Sequence, residues 1–120
     1  MEPPSALPFT LSIADVELDA DSLDPATVLE GEPRAYSRAL RTSSDGRWEI
    51  GVWELTPGVV TDVEAEEVFL VVSGSATVEI TGWPALELGP GVIGAFAGGE
   101  RTVWRVRDTL RKLYMVAVND

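Results

Sequence analysis

The chain has 120 residues, 45% of them hydrophobic, and a formal net charge of −11. That is one ordinary domain with enough apolar content for a core, which excludes wholesale disorder. The charge excludes nucleic acid as a partner, because such a surface repels phosphate backbones.

Residues 1–33 are rich in Pro and Asp and predict an arm laid against the main body. Within it, Phe9 to Leu18 alternates and predicts an edge strand. Ser22-Leu23-Asp24-Pro25 reads as a turn, and Gly31-Glu32-Pro33 closes the segment. From residue 34 to residue 120 the pattern is β throughout. Ala35 to Thr42 predicts a strand, and Ser43-Ser44-Asp45-Gly46 a hairpin turn. Trp48, Ile50 and Val52 alternate with Glu49, Gly51 and Trp53, before the turn at Pro57-Gly58. Val68 to Val72 is an apolar run that ends at Ser73-Gly74. Ala76, Val78 and Ile80 alternate next, up to Gly82. Leu86 and Leu88 make a short strand before Gly89-Pro90-Gly91, and Val92 to Phe96 follows. Thr102, Trp104 and Val106 alternate with Val103, Arg105 and Arg107, and Leu113 to Val118 closes the chain. Short strands with Gly and Pro punctuation and no helical period predict an all-β sandwich or barrel.

The missing residue types limit the chemistry. No Cys and no His occur, so disulfides, thiolate nucleophiles, Ser-His-Asp systems and imidazole metal ligands are excluded. Proton transfer falls to Asp, Glu, Lys, Tyr or water. No apolar run reaches the ~18 residues that span a bilayer, so no membrane is expected. The Met1-Glu2-Pro3-Pro4 start lacks signal-peptide character, so the expected location is cytoplasmic. The charges are lopsided: eight acids precede Arg34, and five of the nine basic residues are Arg101, Arg105, Arg107, Arg111 and Lys112. The late cluster either receives an anionic ligand or, as preferred here, pairs with the acidic arm of the same or a neighbouring subunit.

The order of the motifs resembles the cupin superfamily. Glu67, six residues and Gly74 look like the second half of its first motif. Gly91, Val92 to Phe96, Ala97-Gly98-Gly99 and Thr102 look like its second, with Ala97 for the proline and Thr102 for the histidine. Gly51-Val52-Trp53-Glu54-Leu55-Thr56-Pro57-Gly58, Leu88-Gly89-Pro90-Gly91, Thr102-Val103-Trp104-Arg105-Val106 and Arg111-Lys112-Leu113-Tyr114 are similar to one branch. That branch is the small single-domain cupins related to ureidoglycine aminohydrolase and the ethanolamine-utilisation cupin. The resemblance implies a cupin-type jelly-roll β-barrel over 34–120 with the N-terminal arm at 1–33. It also implies a homodimer that packs sheets and exchanges N-terminal strands.

Metal-dependent cupins place two histidines before the motif glutamate and a third in the second motif; none is here. Counting forward from Gly58 puts the first two at Glu64 and Glu66. Counting back from Glu67 puts them at Val60 and Asp62, or Thr61 and Val63. Asp62, Glu64, Glu66 and Glu67 offer oxygen ligands of the kind Mg, Ca or Mn take. The preferred reading is a solvated acidic turn with Glu67 alone facing the barrel, no metal and no other cofactor.

Inside an apolar barrel an ionised carboxylate needs a cation or hydrogen-bond donors beside it. Glu67 is therefore either the polar centre of a site, as ligand contact or catalytic acid/base, or a brace held by an Arg, Trp or Thr donor. Trp53, Thr102, Trp104 and Tyr114 are the expected pocket lining for a small-molecule ligand. Strict alternation puts Glu100 on the same inner face as Thr102 and Trp104. Lys112, on one face of the last strand with Tyr114, is either a buried nucleophile or base or, as preferred, a lysine at the strand's mouth that snorkels to water. A binding role is preferred, because no complete catalytic set assembles. The alternative is a hydrolase-, isomerase- or lyase-type enzyme of that cupin branch, centred on Glu67.

Overall fold

Turn residues cut this chain into short alternating segments, and pairing them is what builds the fold. The structure is a computed structural model that describes residues 7–118. Among the described residues nine strands form: β1 (Asp19–Asp21), β2 (Val28–Glu30), β3 (Ala35–Thr42), β4 (Trp48–Leu55), β5 (Gly58–Val63), β6 (Glu67–Ile80), β7 (Trp83–Leu88), β8 (Ile93–Phe96) and β9 (Arg101–Ala117). One 3₁₀ turn, Pro25–Thr27, is capped by the Asp24 side chain.

All pairings are antiparallel, and the sheet curls into a jelly-roll β-barrel. Two long strands run through both halves of it. Leu110–Ala117 of β9 lies between β4 and the start of β6. Arg101–Val106 of β9 lies between β5 and the end of β6. The other strands flank these: β3 and β1 beyond β4, β2 beyond β5, and β8 and β7 on the two ends of β6.

This corrects two expected breaks. Ser73-Gly74 does not end a strand, and residues 101–107 and 113–117 are not separate strands. The register of β6 against β9 slips at Val71/Ser73, Ser73/Ser75 and Ser75/Ala76, so the paired strands bend instead of stopping. Gly74 sits at the bend with φ +93°, and a Cβ there would collide with the Thr109 carbonyl. Glycine is what lets the two strands cross that closely.

Period 2 sets the inside. Glu67, Phe69 and Val71 are buried, while Val68 and Leu70 are exposed. Leu55, Phe69, Val71, Val78, Phe96, Trp104 and Leu110 fill the space between the halves.

Phe9 to Leu18 does not form the expected strand. Val16, with Ile13 and Leu18, packs on Leu40 and Val52 outside the barrel instead. The carbonyls of Ile13, Ala14 and Val16 accept from Arg111 Nη1, so that stretch finds a partner without a ladder. Asp19 pairs with Arg38 at 2.9 Å, and Glu30 with Arg105 at 3.3 Å. The acidic segment thus meets basic residues of its own chain.

Candidate functional site

An open cavity of about 390 Å³ lies inside the barrel. Trp53 from β4, Glu67 from β6, and Trp104, Lys112 and Tyr114 from β9 all line it. Leu23, Asp24 and Thr27 of the N-terminal segment complete its rim. Thr102 faces inward but is not part of this wall; it lies behind Glu64.

One polar feature of the cavity wall is a buried ion pair. Lys112 Nζ donates to Glu67 Oε2 at 2.7 Å, with the side chains only 7% and 10% exposed. The ammonium lies 4.6 Å from the Trp53 ring centroid and 4.8 Å from those of Phe69 and Trp104. The ammonium is thus enclosed by one carboxylate and three aromatic ring faces, each of which attracts a cation. Lys112 therefore does not snorkel to water as expected, because its partners are inside. Nor is Glu67 held by Arg, Trp or Thr; its donor is this lysine.

A second carboxylate is buried beside the first. Glu64 is 7% exposed. Its Oε2 accepts from Thr102 Oγ1 at 2.6 Å and from Trp104 Nε1 at 3.0 Å. Burial pushes the Glu64 carboxyl above the usual carboxylate range; the two donors pull against it, and nearby Asp62 adds to the rise. Burial also raises Asp62. The expectation that Glu67 alone faces the barrel is thus corrected. The missed signal was period 2: Val60, Asp62 and Glu64 continue the inward face of β5 into the loop.

Glu100 is the other correction. Strict alternation would turn it inward with Thr102. Its carboxylate instead accepts from the backbone N–H groups of Ala97 at 2.6 Å and Gly98 at 2.8 Å, closing its own turn. The open amides of a glycine turn outcompete a desolvated site for a carboxylate. Tyr114 donates to Glu49 Oε2 at 2.8 Å, and burial followed by that carboxylate pushes the phenol far above its ordinary value.

The aromatic side chains make one connected wall. Trp53 and Trp104 meet edge to face at 5.6 Å between centroids, and Phe69 and Phe96 stack at 5.7 Å. A rigid apolar wall with a few fixed polar groups is the usual make-up of a small-molecule site.

The family model described as the EutQ-like cupin domain matches residues 42–114. Among solved structures, the chain is similar to the Clostridium difficile EutQ protein. Identity is 17%, over 92% of this chain and 87% of that one, at a TM-score of 0.70. A putative ethanolamine utilization protein Q from Salmonella typhimurium is 16% identical over 84% and 94%, at 0.62. A Pseudomonas syringae protein of unknown function is 23% identical over 88% of this chain and 46% of that one, at 0.77. These likenesses establish the fold alone. No curated protein matches the chain. With its model spanning well over half of the sequence, the EutQ-like cupin family is the one to which this chain belongs.

Proposed function

We propose that the protein binds a small polar molecule in the barrel cavity. The observation that carries this reading is the convergence of Trp53, Trp104 and Tyr114 on the Glu67–Lys112 pair within one open cavity. Asp24, Glu49, Asp62, Glu64 and Glu67 stand against the single cation Lys112 there. That balance favours a ligand whose outer end is positively charged or rich in hydrogen-bond donors.

A thermal-shift screen of small amines, zwitterions and carboxylates tests it. Amines or zwitterions should raise the Tm, and Trp53→Ala should remove the shift. A response confined to carboxylates would overturn the reading. An enzyme is the second reading, and Glu64 favours it, since burial raises its carboxyl above the usual carboxylate range and so makes it a stronger proton acceptor than an exposed one.

The protein is also proposed to act as a homodimer in the cytoplasm. Val68, Leu70, Ile93 and Met115 leave an exposed apolar face on the outer side of the barrel, suited to a second sheet. Among the described residues no helix is long and apolar enough to cross a membrane.

A further inference from the structure

A metal-dependent cupin would set a metal ion beside the carboxylate at Glu67. The residues of this chain do not fit one. An ammonium already stands 2.7 Å from Glu67 Oε2. The neighbouring Glu64 directs its Oε2 to Thr102 and Trp104. Thr102 itself holds the position of the second motif's histidine. Around the ammonium lie the faces of Trp53, Phe69 and Trp104, which carry no metal-ligating atom on that side. Among the described residues no group of three or more His, Cys, Asp or Glu is placed to hold an ion. A divalent cation at Glu67 would face a buried like charge a few ångströms away, in a medium that screens poorly.

The lysine is also singular. It is the only lysine of the chain; the other eight basic residues are arginines. An ammonium is a compact point charge on a flexible stem, whereas a guanidinium is a broad planar fork. Only the former fits between three ring faces. Its stem comes from β9, where Lys112 is opposite Trp53 on one side and Val71 on the other. Its position is thus set by the same ladder that positions the aromatic wall.

We propose that Lys112 is the resident cation of this barrel. It supplies the positive charge beside Glu67 that a metal ion would otherwise supply, and it leaves no room for one there. The positive centre is covalently part of the chain and has no exchangeable coordination position. A ligand meets fixed N–H donors there, not an open metal site. This inference goes beyond the binding reading and stands or falls separately from it, because it concerns the unliganded protein.

The single lysine makes the test direct. The full chain labelled with ¹³C,¹⁵N-lysine gives one side-chain spin system. Its ε-CH₂ protons should lie well upfield of those of a lysine in a disordered peptide, because three rings face the ammonium. One equivalent of Mn²⁺, or excess chelator, should leave the signal unchanged. Two results would overturn the proposal. The first is strong broadening of the wild-type signal by one equivalent of Mn²⁺ with loss of that effect in Glu67→Gln. The second is a lysine signal at the disordered-peptide position. Both are read on the wild-type protein first, so a variant that folds poorly does not blunt the test.

Discussion

The Lys112 ammonium and the Glu67 carboxylate lie 2.7 Å apart, 45 residues apart in the chain and almost sealed from solvent. A buried pair of this kind is weak evidence for stability, because desolvation offsets much of the attraction. Removing one partner is a different matter, since it strands a buried charge.

Lys112→Met is therefore expected to cost about 3–5 kcal/mol of stability. Replacing both partners, as in Lys112→Met with Glu67→Leu, should recover most of the loss. Urea denaturation midpoints for the four proteins of the double-mutant cycle measure this. A double variant whose loss equals the sum of the two single losses would show that the two side chains are not coupled.

Glu64 predicts a pH dependence of definite sign. Burial, the largest influence, raises its carboxyl in the folded protein above the ordinary value. The folded state then binds more protons than the unfolded one as pH climbs through that window, so stability falls with rising pH. Asp62, raised for the same reason, acts in the same direction. Glu64→Gln keeps an acceptor for Thr102 and Trp104 but cannot ionise. Its stability should decline less than the wild type's as the pH rises above the ordinary carboxylate range, about pH 4. Parallel profiles for the two proteins would contradict the assignment.

Gly74 sits at the bend of β6 against β9. At φ +93°, with the Thr109 carbonyl in the way of a Cβ, Gly74→Ala should cost at least about 2 kcal/mol. Gly82 has a similar φ of +82° but nothing near its Cβ position. Gly82→Ala should show only the conformational cost, about 1–2 kcal/mol. Thermal denaturation of the two variants separates crowding from backbone preference, and equal losses would remove crowding at Gly74 as a cause.

The outer apolar face predicts association. Val68 and Ile93 are 41% and 70% exposed. Sedimentation velocity at micromolar concentration should show a dimer, and Ile93→Asp should shift it to monomer. A wild-type monomer would refute the sheet-packing dimer. Exchange of the N-terminal segment is not needed to neutralise it, since Asp19, Glu30 and the carbonyls of Ile13, Ala14 and Val16 already meet Arg38, Arg105 and Arg111 within one chain.

Much of the architecture was legible in residue order because strand signals are local. The Ala35–Thr42 strand is read correctly from alternation and from the Ser43-Ser44-Asp45-Gly46 turn that follows. The inward set Glu67, Phe69, Val71 likewise follows from period 2. Gly74 shows the limit of such rules. A Ser-Gly pair after an apolar run looks the same whether the strand ends or bends, and here Thr109 on the paired strand makes the difference.

Alone, the sequence determined the strand pattern, the absence of imidazole and thiol chemistry, and the cupin order of its motifs. Each of these depends on residue identity and on neighbours a few positions away. Only the tertiary structure decided what those residues do. It drew Lys112 inward to Glu67, gave Thr102 and Trp104 to Glu64, and turned Glu100 back onto its own loop. A charged side chain goes where its desolvation is best compensated, and the compensating groups come from strands brought together only when the barrel forms.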